Sequence, residues 1–265
     1  MLNALFISTL LVYLFATIFN FVGKVFLKDK TARIVFAIFL VGFALHTAYA
    51  ISRGIIAQRV PMANQFEFAM AFSWGISLML IIAKFKWKAD WLVTYALPAT
   101  LLMLLYASIL PREIRELMPA LRSRWFGIHI GSAVISYAAF TLSACAGVKY
   151  LLALRKGETE DSMRMRQIDF FSYRLIILGI LGLTICILSG SIWGEEAWSS
   201  FWQWDPKELW SLITWIVYAI YLHQRLRMKW HGKKMAILAI IALGFVLFTF
   251  IGVNTLLPGL HSFYV

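Results

Sequence analysis

Eight predominantly apolar runs, most of them near the roughly 20 residues that a helix needs to cross a bilayer, follow one another with only short polar stretches between. They lie at about Leu2–Val22, Ile34–Ile51, Phe66–Ala83, Trp91–Leu110, Phe126–Leu154, Phe170–Ser189, Leu209–His223 and Ala236–Asn254. Within hydrocarbon a backbone must satisfy its own hydrogen bonds, and a helix does so within one segment. The pattern therefore predicts an all-α integral membrane protein with about eight transmembrane helices. The fifth run is long enough to tilt or to extend beyond the membrane. Pro98 should kink the fourth, and the seventh needs extension at its ends. Of the 265 residues 61% are hydrophobic and 14% charged, against roughly 45–50% and 25% in soluble domains. The polar stretches leave no room for a soluble domain, so residues 1–265 read as a single polytopic membrane domain.

The net charge of +12 would suit a nucleic-acid partner in a soluble chain. Here orientation explains it better, because Lys and Arg accumulate in cytoplasmic loops. With the N-terminus outside, eighteen basic residues fall on the inner side and seven on the outer. Both termini are then outside, and no nucleic-acid partner is expected. The chain is apolar from Leu2, and its first charges, Lys24, Lys28 and Lys30, come after the first run. That order argues against a cleaved signal peptide and fits an unprocessed bacterial cytoplasmic membrane protein. Cys145 and Cys186 lie inside apolar runs and form no CxxC pair, so they read as small buried hydrophobes rather than a redox couple. No repeat or low-complexity segment is visible.

The most unusual stretch is Ser191–Trp215, SIWGEEAWSSFWQWDPKELWSLITW. It contains Trp193, Trp198, Trp202, Trp204, Trp210 and Trp215, six of the eleven tryptophans. It falls in the outer loop between helices six and seven. An aromatic belt at the membrane interface would account for one or two of them. Six make a platform suited to a flat apolar ligand. Trp198 and Trp202 are spaced i, i+4, so a short helix would present both on one face. Asp205, Pro206 and Glu208 fit the N-cap, N1 and N3 positions of a capping box opening helix seven, a role compatible with ligand positioning.

Five histidines remain: His46, His129, His223, His231 and His261. His129 falls near the outer start of helix five, and His261 in the short outer tail beyond Pro258-Gly259. Two imidazoles beside an aromatic platform suit a six-coordinate haem, with an axial ligand from each side and apolar contact along an edge. The alternative for each is an interfacial histidine bonded to water or lipid. His46, in helix two, and His223, at the inner end of helix seven, could form a second pair within the membrane, where an ionisable residue is costly. The count along the helices separates that pair by roughly 10 Å in depth, and His223 could instead snorkel to the inner surface. His231, in a basic inner loop, reads as solvated.

These residues resemble a known family. Trp193-Gly-x-x-x-Trp198, followed by Phe-Trp-Gln-Trp-Asp-Pro-Lys-Glu, is similar to the WWD signature of cytochrome c assembly proteins. The Asp-Pro-Lys-Glu-x-Trp ending and the eight-span layout resemble the CcsA (ResC) type of the system II pathway, called CcsB in some bacterial schemes. Pro61-Met-Ala-Asn64-Gln-Phe-Glu67 is similar to the Pro-x-x-Asn-x-x-Glu that opens the third helix of that family. Arg124–His129, Tyr221-Leu222-His223 and Gly259-Leu260-His261-Ser262 resemble its histidine-bearing segments, in the same order. The resemblance covers most of the chain, its core about residues 60–265.

The resemblance implies that haem b enters an intramembrane site held by His223 and His46, then reaches an outer site of His129, His261, Trp193, Trp198, Trp202, Trp204 and Asp205. There its vinyl groups would meet the thiols of a CxxCH motif in an apocytochrome c. It implies further partners: a CcsB/ResB-type membrane subunit with a large outer domain, and an outer thioredoxin-like thiol-disulfide protein. The chain would then be a subunit of a holocytochrome c synthase rather than an enzyme acting alone. Three other readings stay open: a HemX-like haem carrier or regulator without ligation activity, an eight-helix transporter gated by the tryptophan loop, and a structural subunit with a heavy aromatic belt.

Overall fold

The computed structural model describes residues 1–26, 31–257 and 259. Among them every regular element is helical, and the protein is an all-α integral membrane protein. The helices are α1 (Leu2–Phe26), α2 (Ala32–Ala57), α3 (Gln65–Trp87), α4 (Val93–Ser108), α5 (Arg124–Arg155), α6 (Met163–Trp198), α7 (Pro206–Leu226) and α8 (Lys233–Leu247). A 3-10 turn, Asp90–Leu92, leads into α4. A π turn, Phe248–Gly252, carries α8 into the short α9 (Val253–Leu256). Seven of the eight spans are long and apolar enough to cross a bilayer. The remaining one, α7, has 21 residues, about 31 Å at 1.5 Å per residue. It is less apolar because Lys207 and Glu208 open it and His223, Gln224 and Arg225 close it.

Most spans agree with the apolar runs, and α7 extends at both ends as expected. The sixth does not stop at Ser189. It continues through Trp198, where Ser199 takes a left-handed conformation and its N–H bonds the Glu195 carbonyl. With 36 residues, α6 is about 54 Å long and must project beyond a hydrocarbon core of about 30 Å. This corrects the expected tryptophan loop. Trp193 and Trp198 belong to the end of α6, Trp210 and Trp215 belong to α7, and only residues 199–205 form the connection. It also rules out a helix carrying Trp198 and Trp202 on one face, because the left-handed Ser199 ends the helix between them.

The chain divides into two compact units, Met1–Glu116 and Leu117–Val265. The first holds α1–α4 around buried Phe6, Tyr13, Phe39, Phe66 and Phe72. The Tyr13 hydroxyl on α1 donates to Ser77 on α3 at 3.0 Å. The second unit is built on α5 against α6, a contact made close by small residues, as is common between membrane helices. Ser136 donates to the Gly179 carbonyl at 2.7 Å, and Gly182 faces Ser132 and Ser136. At the far end of α7, Arg225 holds Asp169 through both carboxylate oxygens at 2.7 Å, and Asp169 also accepts the Gly232 N–H.

Gly179 lies directly on the ring of Phe140, which stacks in turn on Tyr218 at 3.5 Å between centroids. A methyl group at Gly179 has nowhere to go without moving that fully buried pair. Gly179→Ala is expected to destabilise the protein by about 1–3 kcal/mol. Gly131→Ala, whose methyl would meet nothing within 4 Å, should be neutral or slightly stabilising. Thermal unfolding of both variants in detergent checks this; equal melting points would contradict the packing described.

Candidate functional site

In the second unit Trp193 lies against His129 and Trp198 against Trp193, while Trp210 packs on Phe245 and Phe248 and Trp215 donates to Thr184. The N-cap of α5 is Ser123, whose hydroxyl accepts the Trp125 N–H, and His129 follows on the second turn. Its Nδ1 lies 2.8 Å from the Cys186 carbonyl oxygen on α6. A carbonyl can only accept, so Nδ1 carries the proton and the lone pair of the neutral ring sits on Nε2. That is how proteins commonly set a histidine for metal ligation. The ring stacks on Trp193, centroids 5.8 Å apart and planes 28° from parallel. Gly190 allows this approach: a Cβ there would come within 2.7 Å of Nδ1 and 2.9 Å of Cε1.

Trp193 is almost fully buried. Its Nε1 donates to the Ala120 carbonyl at 2.7 Å, and its ring meets Phe126 at 5.2 Å and Trp198 at 4.8 Å. It is the base of the aromatic group rather than its open face. Trp204 is the opposite, 67% exposed. Its φ of +58° is a left-handed conformation costing roughly 1–2 kcal/mol in a residue with a Cβ. The strain is held by Glu208, whose carboxylate accepts the Gln203 N–H at 2.8 Å and the Asp205 N–H at 3.2 Å. Trp202 stands edge-on to Trp204, centroids 5.8 Å apart. The connection thus spends backbone strain to hold an indole outward.

Asp205 forms the capping box read from the sequence, with Glu208 reciprocating and Pro206 in the first turn. Its Oδ1 accepts the Lys207 N–H at 2.9 Å. Gly259 lies against the other oxygen, Oδ2, and against Pro206 so closely that a Cβ would collide. Lys207 Nζ donates to Asn254 on α9 at 2.7 Å. α9 and Gly259 are therefore tied to the start of α7. His261 itself lies outside the described residues. His223 is exposed, three residues before the end of α7.

His46 belongs to the first unit. It is fully shielded from water, and neither ring nitrogen makes a well-formed hydrogen bond. Tyr13 stands edge-on to the ring at 6.2 Å. His46 borders a cavity of about 620 Å³ whose wall also includes Arg53, Arg59, Glu67, Met70 and Trp74. That volume is typical of ligand pockets. Arg53 and Arg59 converge on Glu67: Arg53 Nε at 2.9 Å, Arg59 at 2.6 and 3.1 Å. Glu67 accepts also from the Ala63 N–H at 2.7 Å, and Asn64 caps α3 by accepting the Glu67 N–H. The Pro61–Glu67 motif thus fixes one buried carboxylate between two guanidinium groups. Sequence reasoning missed this cavity. The available signal was slight: Arg53 lies just past the second apolar run, fourteen residues before Glu67, and reads as an outer interfacial charge.

Among the described residues no three His, Cys, Asp or Glu side chains assemble into a metal cage. Single imidazoles beside aromatic or apolar surface, half-buried as His129 or buried as His46, instead suit an iron that brings its own equatorial ligands. The donor at His129, with its proton fixed on Nδ1, and the two unsatisfied nitrogens of His46 both fit that demand. Cys145 and Cys186 are buried and not joined in a disulfide.

Comparison with known proteins agrees with this chemistry. The family model described as Cytochrome C assembly protein matches residues 62–261. The chain is similar to a cytochrome c biogenesis protein CcsA of Chlamydomonas reinhardtii, 38% identical over 214 residues that make up 77% of this chain and 60% of the algal protein. It is similar also to CcsA proteins of Parasynechococcus marenigrum (strain WH8102), 35% identical over 77% of each chain, and of Prochlorococcus marinus (strain AS9601), 32% identical over 91% of this chain and 87% of that one. With three quarters of its length inside one family model and relatives above 30% identity along most of both chains, the chain belongs to the cytochrome c assembly protein family and is of its CcsA type.

Proposed function

We propose that the chain acts in cytochrome c biogenesis as the subunit that binds haem b and presents it at the outer face of a bacterial cytoplasmic membrane. The observation that carries this reading is the His129 imidazole, its proton fixed by the Cys186 carbonyl and its ring laid on Trp193 at the base of the tryptophan segment. His261, which lies outside the described residues, would supply the second imidazole. Gly259, two residues before it in sequence, lies against Asp205, which supports an approach of the tail to that segment. Trp198, Trp202 and Trp204 supply apolar contact along the macrocycle. His46 serves an intramembrane haem that precedes the outer one, and His223, exposed near the end of α7, is the other intramembrane candidate. The excess of basic residues on one set of loops puts both termini and the tryptophan segment outside.

Haem is the cargo, and it supplies two vinyl groups that react with the thiols of a CxxCH motif. The chain's own contribution is to hold and orient. The imidazoles would hold the haem, and the tryptophans would exclude water around it while leaving it open to the incoming apocytochrome c. Such positioning is worth on the order of 7–11 kcal/mol in favourable cases. The buried thiols cannot keep a client reduced, so an outer thioredoxin-like protein does so. A CcsB/ResB-type membrane subunit contributes the large outer domain.

The test is the visible spectrum of the chain purified in detergent, beside His129→Ala and His261→Ala. The parent should show a Soret band and sharp bands on reduction, weakened or lost in either variant. A colourless parent that takes up no haem even when co-expressed with the partner subunit overturns the reading.

A further inference from the structure

We propose that the cavity of the first unit has a carboxylate-binding end, in which Arg59 receives a propionate of the haem whose iron is met by His46. The proposal rests on the reading of His46 as a haem ligand and adds the group that recognises the acidic edge. Two features of the cavity point to an amphipathic acid. The first is His46, a buried imidazole bordering the cavity with no well-formed hydrogen bond at either nitrogen and only the Met70 backbone acting weakly on the ring. Leaving such a group unsatisfied costs about 1–3 kcal/mol, which ligation would recover. The second is the unbalanced charge at the far end. Arg53 and Arg59 share the single carboxylate of Glu67, so the buried cluster keeps one positive charge in excess.

The two ends are suitably spaced. His46 and Arg53 both lie on α2, seven residues apart, which is two helical turns or about 10.5 Å along one face, and Arg59 reaches the same Glu67 oxygen as Arg53, which puts its guanidinium at that end. A porphyrin separates its iron from its carboxylates by a comparable length. Between these ends the wall is mainly apolar, with Met70, Ala71 and Trp74 from α3. Of the two arginines, Arg59 is the one poised to act. Arg53 already bonds Glu67, the Arg112 and Glu113 carbonyls and the Tyr49 hydroxyl, and its side chain is 2% exposed. Arg59 is 11% exposed, sits just past the α2 C-cap, and bonds Glu67 and, at 3.4 Å, the Val60 carbonyl. A guanidinium has five N–H donors in a planar fork, so Arg59 can hold Glu67 and a ligand carboxylate together. The imidazole is fully shielded, so ligation requires the wall beside it to shift. The excess charge could also attract an anionic lipid, which would bind without iron ligation and without preference for a free porphyrin acid.

The experiment uses the full chain carrying His129→Ala and His261→Ala, titrated in detergent with ferric haem and separately with haem dimethyl ester. The readout is the Soret band of imidazole-ligated haem. Haem should bind about tenfold or more tightly than the ester, the gain expected of one charge-assisted bond. Arg59→Gln should remove that difference, and Arg59→Lys should keep most of it. His46→Ala should abolish the ligated spectrum with both ligands. Equal affinity for haem and ester in the parent overturns the carboxylate end while leaving the His46 site standing. This comparison needs no variant at Arg59, so a folding defect there does not weaken it. A ligated spectrum unchanged by His46→Ala, or no ligated spectrum at all, overturns the His46 reading and the proposal with it. Haem and ester bound with equal affinity and displaced alike by phosphatidylglycerol micelles would assign the cationic end to lipid and also overturn it.

Discussion

Replacing Glu67 by alanine is expected to lower stability by about 3–5 kcal/mol, because it strands two buried guanidinium groups on one side of the first unit. Glu67 accepts from Arg53, Arg59 and the Ala63 backbone, and its side chain is fully buried. Removing it leaves Arg53 with two carbonyls and a tyrosine hydroxyl but no countercharge. Glu67→Gln should be milder, since an amide oxygen can still accept the Ala63 N–H. A paired change, Glu67→Leu with Arg53→Leu, should recover part of the loss by removing both desolvated charges together. Thermal unfolding in detergent reads all three. If Glu67→Ala melts with the parent, the cluster contributes no stability and its charges must be solvated.

The fold was largely legible because membrane solvation simplifies the code. Each helix satisfies its own backbone, so apolar length alone locates it, and the eight spans emerge close to their expected limits. The exceptions are informative. The sixth run appears to the eye to stop at Ser189 because Trp193, Glu195 and Glu196 break the apolar pattern, yet the helix continues to Trp198. Beyond the hydrocarbon a helix no longer needs to be apolar, so hydropathy goes blind where the site begins. The capping box at Asp205 was legible because it is a local code of three residues. The His129–Cys186 contact was not, since it joins residues 57 apart through a backbone carbonyl that has no sequence signature. The His46 cavity was hidden for a related reason. An Arg near a helix end reads as an interfacial charge until Glu67 is seen to bury it.

A second large effect is expected at Gly190, a residue that carries no chemistry. Gly190→Ala should reduce haem affinity at the outer site by about 10–100-fold, the usual range when the support of a metal-ligating histidine is lost. The variant should do so without unfolding the protein, because alanine is favoured over glycine within a helix by about 1 kcal/mol. The physical reason is local. The new methyl would sit 2.7 Å from His129 Nδ1 and 2.9 Å from Cε1, inside van der Waals contact, so the ring must swing away from α6. That movement breaks the Nδ1 bond to the Cys186 carbonyl and frees the tautomer. It also lifts the imidazole off Trp193, whose own position is fixed by Ala120, Phe126 and Trp198. Affinity is therefore expected to fall while the melting point stays close to that of the parent, the helix gain of alanine offsetting the lost His129 contacts, which no general folding defect would produce. Haem titration and thermal unfolding of one detergent preparation measure both. An unchanged haem affinity in Gly190→Ala would mean that the contact with α6 does not orient His129. If affinity falls while the melting point holds or rises, the α5–α6 seam orients the ligand, and the small residues that close it serve the site as well as the packing.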